Sequence, residues 1–238
     1  MAIAMNTTSQ RPTVFLFDID GTLLLTGGAG RRAIEAAFAL HTGRADACSG
    51  FSFGGMTDRA IVRAGLLAVG ATVTDALIDA VIASYLTHLG SEIGQSAGYK
   101  VMPGVHETIA ALRGHAHCAI GLGTGNVRGG AQIKLRRGEL WEHFDFGGFG
   151  CDDEDRTALL RIGAARGAAR LGAQPAHCRV VVIGDTLRDV AAAQGMDAEC
   201  LAVETGGVSS SVLLEAGAHA AVRDLSEPAA LSFLLKQS

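Results

Sequence analysis

Along most of this 238-residue chain, short apolar runs end on Gly or Asp and hand over to helical patterns. The runs fall at 14–17, 118–122, 180–183, 199–203 and 218–222, with a weaker one at 144–149. They are continuously apolar instead of alternating, which marks strands covered on both faces. Past about residue 104, helical stretches of roughly 10–15 residues separate them, as crossovers between parallel strands require. The pattern predicts an α/β fold with a parallel sheet between helical layers.

One interval breaks the alternation. Between Leu25 and Lys100 no strand can be drawn, only helical patterns near 30–42, 57–69 and 74–94. Thr57 and Thr74 suit N-caps, with Asp58 and Asp75 in the first turns behind them. The expected organisation is a core from 13–25 and 100–238, a helical domain over 26–99, and a loose tail over 1–12. The hinges fall at Leu25-Thr26 and at 99–103. The acidic run Asp152-Asp153-Glu154-Asp155 reads as a solvated helix-opening loop, with Asp155 as the cap.

Composition narrows the partners. With 48% apolar and 18% charged residues the interior is well supplied, yet no apolar run approaches the ~18 residues of a membrane span. The first twelve residues lack the sustained apolar stretch of a secretory signal. A net charge of −4 without a basic stripe argues against nucleic acid. Five cysteines without a CxxC pair fit a reducing compartment. The expected address is the cytoplasm, with no membrane partner.

The chemistry gathers at predicted strand ends. Asp18 and Asp20, in Asp18-Ile19-Asp20-Gly21-Thr22, follow the first strand and are spaced to face one ligand. Gly21 permits a sharp turn. Asp185 follows the 180–183 strand, and Asp189 stands one helical turn later on the same face. Four carboxylates meeting without a cation would repel, so Mg²⁺, a ligand of oxygens and phosphates, is the expected occupant. Gly123-Thr124-Gly125-Asn126 precedes a helix and reads as a phosphate cradle. Its GxGxxxG spacing, completed by Gly129, is not a dinucleotide site. It follows the wrong strand and lacks the acidic residue for a ribose.

Taken together, FDIDGT at 17–22, GTGN at 123–126 and GDTLRD at 184–189 resemble the haloacid dehalogenase superfamily, in its phosphoglycolate-phosphatase-like branch. That resemblance implies a Rossmann-like three-layer core with an inserted all-helical cap of the C1 type, the 26–99 insert. It implies a phosphatase with Asp18 as nucleophile and metal ligand and Asp20 as general acid/base. The Asp20 main-chain carbonyl would complete a metal position. Thr124 would clamp the phosphoryl group with the N–H groups of Gly125 and Asn126. Asp185 would bind Mg²⁺, and Asp189 would support it directly or through water. The substrate would be a small phosphorylated metabolite.

The family's usual lysine after the third strand is absent. Lys134 would lie about 12–15 Å along its helix from the phosphate end, whereas Arg156 opens the next predicted helix. Arg156 is therefore the expected phosphate-binding cation, held bidentately. In the cap, Thr57 and Arg59 are candidates for substrate contact. Asp20 argues against a dehalogenase, and the lysine-free insert argues against a Schiff-base phosphonate cleavage. A sugar-phosphate mutase and a non-catalytic phosphate-binding module are the alternatives.

Overall fold

The computed structural model describes residues 11–236. Its first strand, β1 (Thr13–Phe17), is buried at every position. Phe15 and Phe17 face one apolar cluster and Val14 and Leu16 the other, as the two-residue period of a strand dictates. Then follow β2 (Leu24–Thr26), α1 (Ala29–Thr42), α2 (Asp58–Ala68), α3 (Asp75–Gln95) and β3 (Tyr99–Val101). The chain continues through α4 (Val105–Arg113), β4 (Cys118–Thr124), α5 (Arg128–Arg137), β5 (Gly147–Phe149) and α6 (Arg156–Arg170). It ends with β6 (Arg179–Gly184), α7 (Leu187–Gln194), β7 (Glu199–Val203), α8 (Ser210–Glu215), β8 (Ala220–Val222) and α9 (Pro228–Leu234).

Six strands form one parallel sheet in the order β5-β4-β1-β6-β7-β8. The α/β layered class read from the apolar runs is thus the observed one. β1 lies between β4 and β6, with Phe17 opposite both Leu122 and Ile183. The three segments singled out for chemistry therefore leave the sheet side by side, at its carboxyl edge.

The helices α1, α2 and α3 pack on their own cluster, built from Phe38, Leu66, Ile78, Leu89 and neighbours. Thr57 and Thr74 cap α2 and α3, their hydroxyls each accepting an N–H at 3.2 Å from Ala60 and Leu77. The sequence reading finds no strand in this interval, yet β2 and β3 pair antiparallel at its two ends, Leu25 opposite Lys100. Three-residue strands are too short to carry a periodic signal. The ribbon is anchored by Ser96, whose hydroxyl donates to the Thr26 carbonyl at 2.6 Å.

Residues 1–10 of the expected tail lie outside the described residues. Pro12 joins the sheet margin, its carbonyl accepting the Arg179 N–H at 2.8 Å. Among the described residues no helix is long and apolar enough to cross a membrane.

Candidate active site

The Asp18 N–H donates to the Ile183 carbonyl at 2.9 Å, so the first residue past β1 is still held in sheet register. Its carboxylate meets those of Asp185 and Asp189, and one oxygen from each lies within 4.8 Å of the others. All three side chains are buried. Thr22 donates its hydroxyl to Asp185 Oδ1 at 2.8 Å. Gly21 turns the chain at φ +86, where a side chain would be strained and a Cβ would fall on the Asp185 carboxyl.

Arg156, the first residue of α6, enters this cluster. Its Nη2 stands 3.0 Å from Asp18 Oδ2, and its Nε donates to Asp189 Oδ1 at 2.8 Å. Both Asp189 oxygens are committed, because Oδ2 accepts from the Thr186 hydroxyl at 2.6 Å and its N–H at 2.9 Å. Burial pushes Asp18 up to about 6, Arg156 pulling it down while Asp189 and Asp20 push it further up. Burial likewise raises Asp185 to about 8, with help from Asp189 and Asp18. Three carboxylates against one guanidinium leave a charge of −2 if all are ionised. Hard oxygen donors with that excess suit a divalent cation. Each of the three offers one oxygen to such an ion, and Asp189 also holds Arg156.

The Asp20 carboxylate stands apart from this cluster. Its Oδ2 accepts from Lys134 Nζ at 2.6 Å and from Asn126 Nδ2 at 2.9 Å. Lys134 also donates to Asn126 Oδ1 at 2.6 Å, closing a triangle of three side chains. Burial alone would depress the Lys134 ammonium, but Asp20, Tyr85 and Asp58 outweigh it and keep it protonated. Lys134 thus reaches Asp20 despite its rise along the helix axis, against the expectation from sequence. Side chains on a helix lean back toward its N-terminus, and the Asp20 turn comes within that reach. Thr124 is fully buried, and its hydroxyl accepts the Asn126 N–H at 3.3 Å and Nδ2 at 2.9 Å.

The inserted helices close the site from above. A cavity of about 230 Å³ is walled by Asp18, Asp20, Gly125, Asn126, Lys134 and Arg156 from the core. Arg31, Phe53, Asp58 and Tyr85 wall it from the insert. The Asp58 N–H donates to the Gly125 carbonyl at 2.8 Å, and Asp58 Oδ2 accepts the Val127 N–H at 2.8 Å. A Cβ on Gly125 would strike the Met56 carbonyl, so the glycine is what lets the insert approach. Burial raises the Asp58 carboxyl to about 6, against the pull of Lys134 and the Val127 N–H.

Two cap residues singled out for substrate contact lie elsewhere. Thr57 caps α2, and Arg59 is taken up by Asp79, Asp75 and Glu154. Glu154, in the run read as solvated, also binds Arg63 of α2 at 2.7 Å and ties insert to core. Asp155 caps α6, accepting the Ala158 N–H at 2.8 Å. Sequence reasoning missed Arg31, Asp58 and Tyr85 as cavity residues. Only Asp58 carried a signal, and helix-start preference absorbed it.

A family model described as haloacid dehalogenase-like hydrolase matches residues 12–197. No curated protein matches the chain. Among solved structures, a hydrolase from Pseudomonas syringae is similar at TM-score 0.65 and 20% identity, over 94% of this chain and 100% of that one. CbbY from Rhodobacter sphaeroides, in complex with phosphate, is similar at 0.69 and 18%, over 93% and 99%. A predicted phosphoglycolate phosphatase from Haemophilus somnus 129PT gives 0.65 and 14%, over 92% and 96%. At these identities the solved structures speak for the fold.

Proposed function

Because this chain belongs to the haloacid dehalogenase-like hydrolase family, we propose that it is a Mg²⁺-dependent phosphatase acting on small phosphate monoesters through a phospho-aspartate on Asp18. The observation that carries this reading is the meeting of Asp18, Asp185 and Asp189 around a buried excess of negative charge, with a separately held carboxylate, Asp20, two residues on.

In the first step an Asp18 carboxylate oxygen attacks phosphorus and the bond to the ester oxygen breaks. Asp20, as the carboxylic acid, gives its proton to the departing alkoxide. In the second step Asp20, now a carboxylate, takes a proton from the water that attacks phospho-Asp18. Inorganic phosphate leaves and both residues are restored. Arg156 pairs with Asp18 at 3.0 Å, which favours the ionised nucleophile and puts a fixed cation beside the transferring group. The Gly125 and Asn126 segment supplies the neighbouring wall, where preorganised donors lower the barrier. Bound by Asp18, Asp185 and the Asp20 main-chain carbonyl, with Asp189 in support, Mg²⁺ would neutralise charge on the phosphoryl oxygens.

The far wall supports a substrate with a second anionic group, such as phosphoglycolate. There the Arg31 guanidinium lies 4.0 Å from the centre of the Phe53 ring. The reading is tested with p-nitrophenyl phosphate, Mg²⁺ and the Asp18→Asn variant. Metal-dependent turnover abolished by Asp18→Asn is expected. A metal-loaded wild type that binds phosphate without turnover would instead mark a binding module.

A further inference from the structure

The phosphate loop is held from both sides of Asn126 by one residue of the insert. Asp58 donates its N–H to the Gly125 carbonyl and accepts the Val127 N–H on Oδ2, both at 2.8 Å. Val127 is the N-cap residue of α5 and has no side-chain oxygen with which to cap it. The Asp58 carboxylate of the insert instead accepts the N–H of Val127 itself and stands over the first turn of α5, near Gly130. An acidic group there meets the positive end of the helix. The helix N-terminus read from sequence as a phosphate cradle is thus partly occupied by a protein carboxylate. Between its two fixed neighbours, Asn126 sends its side-chain amide to Asp20 and its side-chain carbonyl to Lys134.

We propose that Asp58 is a positioning residue: seating the insert on the core through Asp58 sets Asn126, and through it the orientation of Asp20. The inference rests on the assignment of Asp20 as acid and base in the preceding section. It gives the insert a part in the chemistry beyond covering the cavity, since the acid is aligned only while Asp58 is docked.

The test compares an alkyl phosphate with p-nitrophenyl phosphate, whose leaving group needs little protonation, in the full chain with Mg²⁺. Asp58→Ala is expected to lose on the order of 10²-fold in kcat on the alkyl ester, as small misplacements do. On p-nitrophenyl phosphate the loss should be markedly smaller, confined to what a loosened Gly125–Asn126 wall costs both esters. Asp58→Asn keeps an acceptor for the Val127 N–H and should restore the alkyl ester. Val127→Pro removes the donor instead, at a φ of −63 that proline adopts, and should copy Asp58→Ala. Equal losses on both esters, or an Asp58→Asn as impaired as Asp58→Ala, would overturn the proposal. So would collapse of the fold in both Asp58→Ala and Val127→Pro, since the bond would then hold the domain and not the loop. A silent wild type would sink the phosphatase reading alone. The nuclear magnetic resonance signal of the Asn126 side-chain amide would still decide for Asp58, by moving in Asp58→Ala and staying in Asp58→Asn.

Discussion

The Lys134 ammonium stands 2.6 Å from the Asp20 carboxylate, across 114 residues of sequence. Lys134 is buried, while the Asp20 side chain is 44% exposed and open to the cavity. The lysine therefore holds one Asp20 oxygen while the rest of the carboxylate stays open to the cavity. Lys134→Met should lower kcat on alkyl phosphates by about 10²-fold, at the lower edge of what a general acid contributes. Steady-state kinetics on the purified variant, with a melting curve to confirm folding, checks this. An unchanged kcat would remove Lys134 from the reaction.

The carboxyl cluster predicts how the metal-free protein responds to pH. Asp18 and Asp185 rise from 3.8 to about 6 and about 8, chiefly through burial. Between the unfolded and folded values the native state binds more protons than the unfolded state. Stability without metal therefore falls as pH rises from about 4 towards 8. Melting in EDTA across pH 5 to 8 should show the decline, and Asp185→Asn should flatten it. A wild-type melting temperature that rises over this window would show that the cluster does not govern stability.

The strand ends were legible because β1, β4 and β6 are apolar on both faces. The first Asp or Gly after each run therefore marks where the chain leaves the sheet. Asp18, Thr124 and Asp185 could be placed beside one another on that ground, since parallel strands bring like ends together. The β2–β3 ribbon was not legible, for want of length. Lys134 was misjudged because rise along a helix axis says nothing of what packs alongside the helix. Asp58 carried a local reading, a first-turn acid favouring its own helix, and its bond to Val127 is a contact between domains that local preference does not encode. Arg31 looks in sequence like any helical surface cation, and only the fold reveals the cavity beside it.

Away from the site, Glu199 joins β7 to the sheet margin. Burial would raise its carboxyl, but Arg179 at 2.8 Å and Lys236 at 2.9 Å outweigh that and hold it at about 2. A depressed carboxyl stabilises the fold above its unfolded value of 4.5 and loses that contribution as pH falls towards 2. Glu199→Gln should melt below the wild type near pH 6, with the gap closing on acidification. A gap independent of pH would assign the effect to packing.

Arg31 is the residue on which substrate choice should turn. Its bond to Glu35 is 3.5 Å long with both side chains more than a third exposed, and such a pair contributes little. Its Nη1 also donates to the Cys48 carbonyl at 3.4 Å, and the guanidinium carbon sits 4.0 Å from the Phe53 ring centre, so Nε and Nη2 are the donors left for the cavity. A charge-assisted bond to a distal carboxylate or phosphate is worth about 1.5–3 kcal/mol. Arg31→Ala should therefore lower kcat/KM for phosphoglycolate by roughly 10- to 100-fold. For p-nitrophenyl phosphate, which has no distal anion, the change should be within about threefold. Arg31→Lys should recover part of the loss, since an ammonium keeps the charge but neither the fork nor the planar stacking. If Arg31→Ala weakened both substrates alike, the far wall would be holding the insert in place, and the distal anion would have to be read elsewhere.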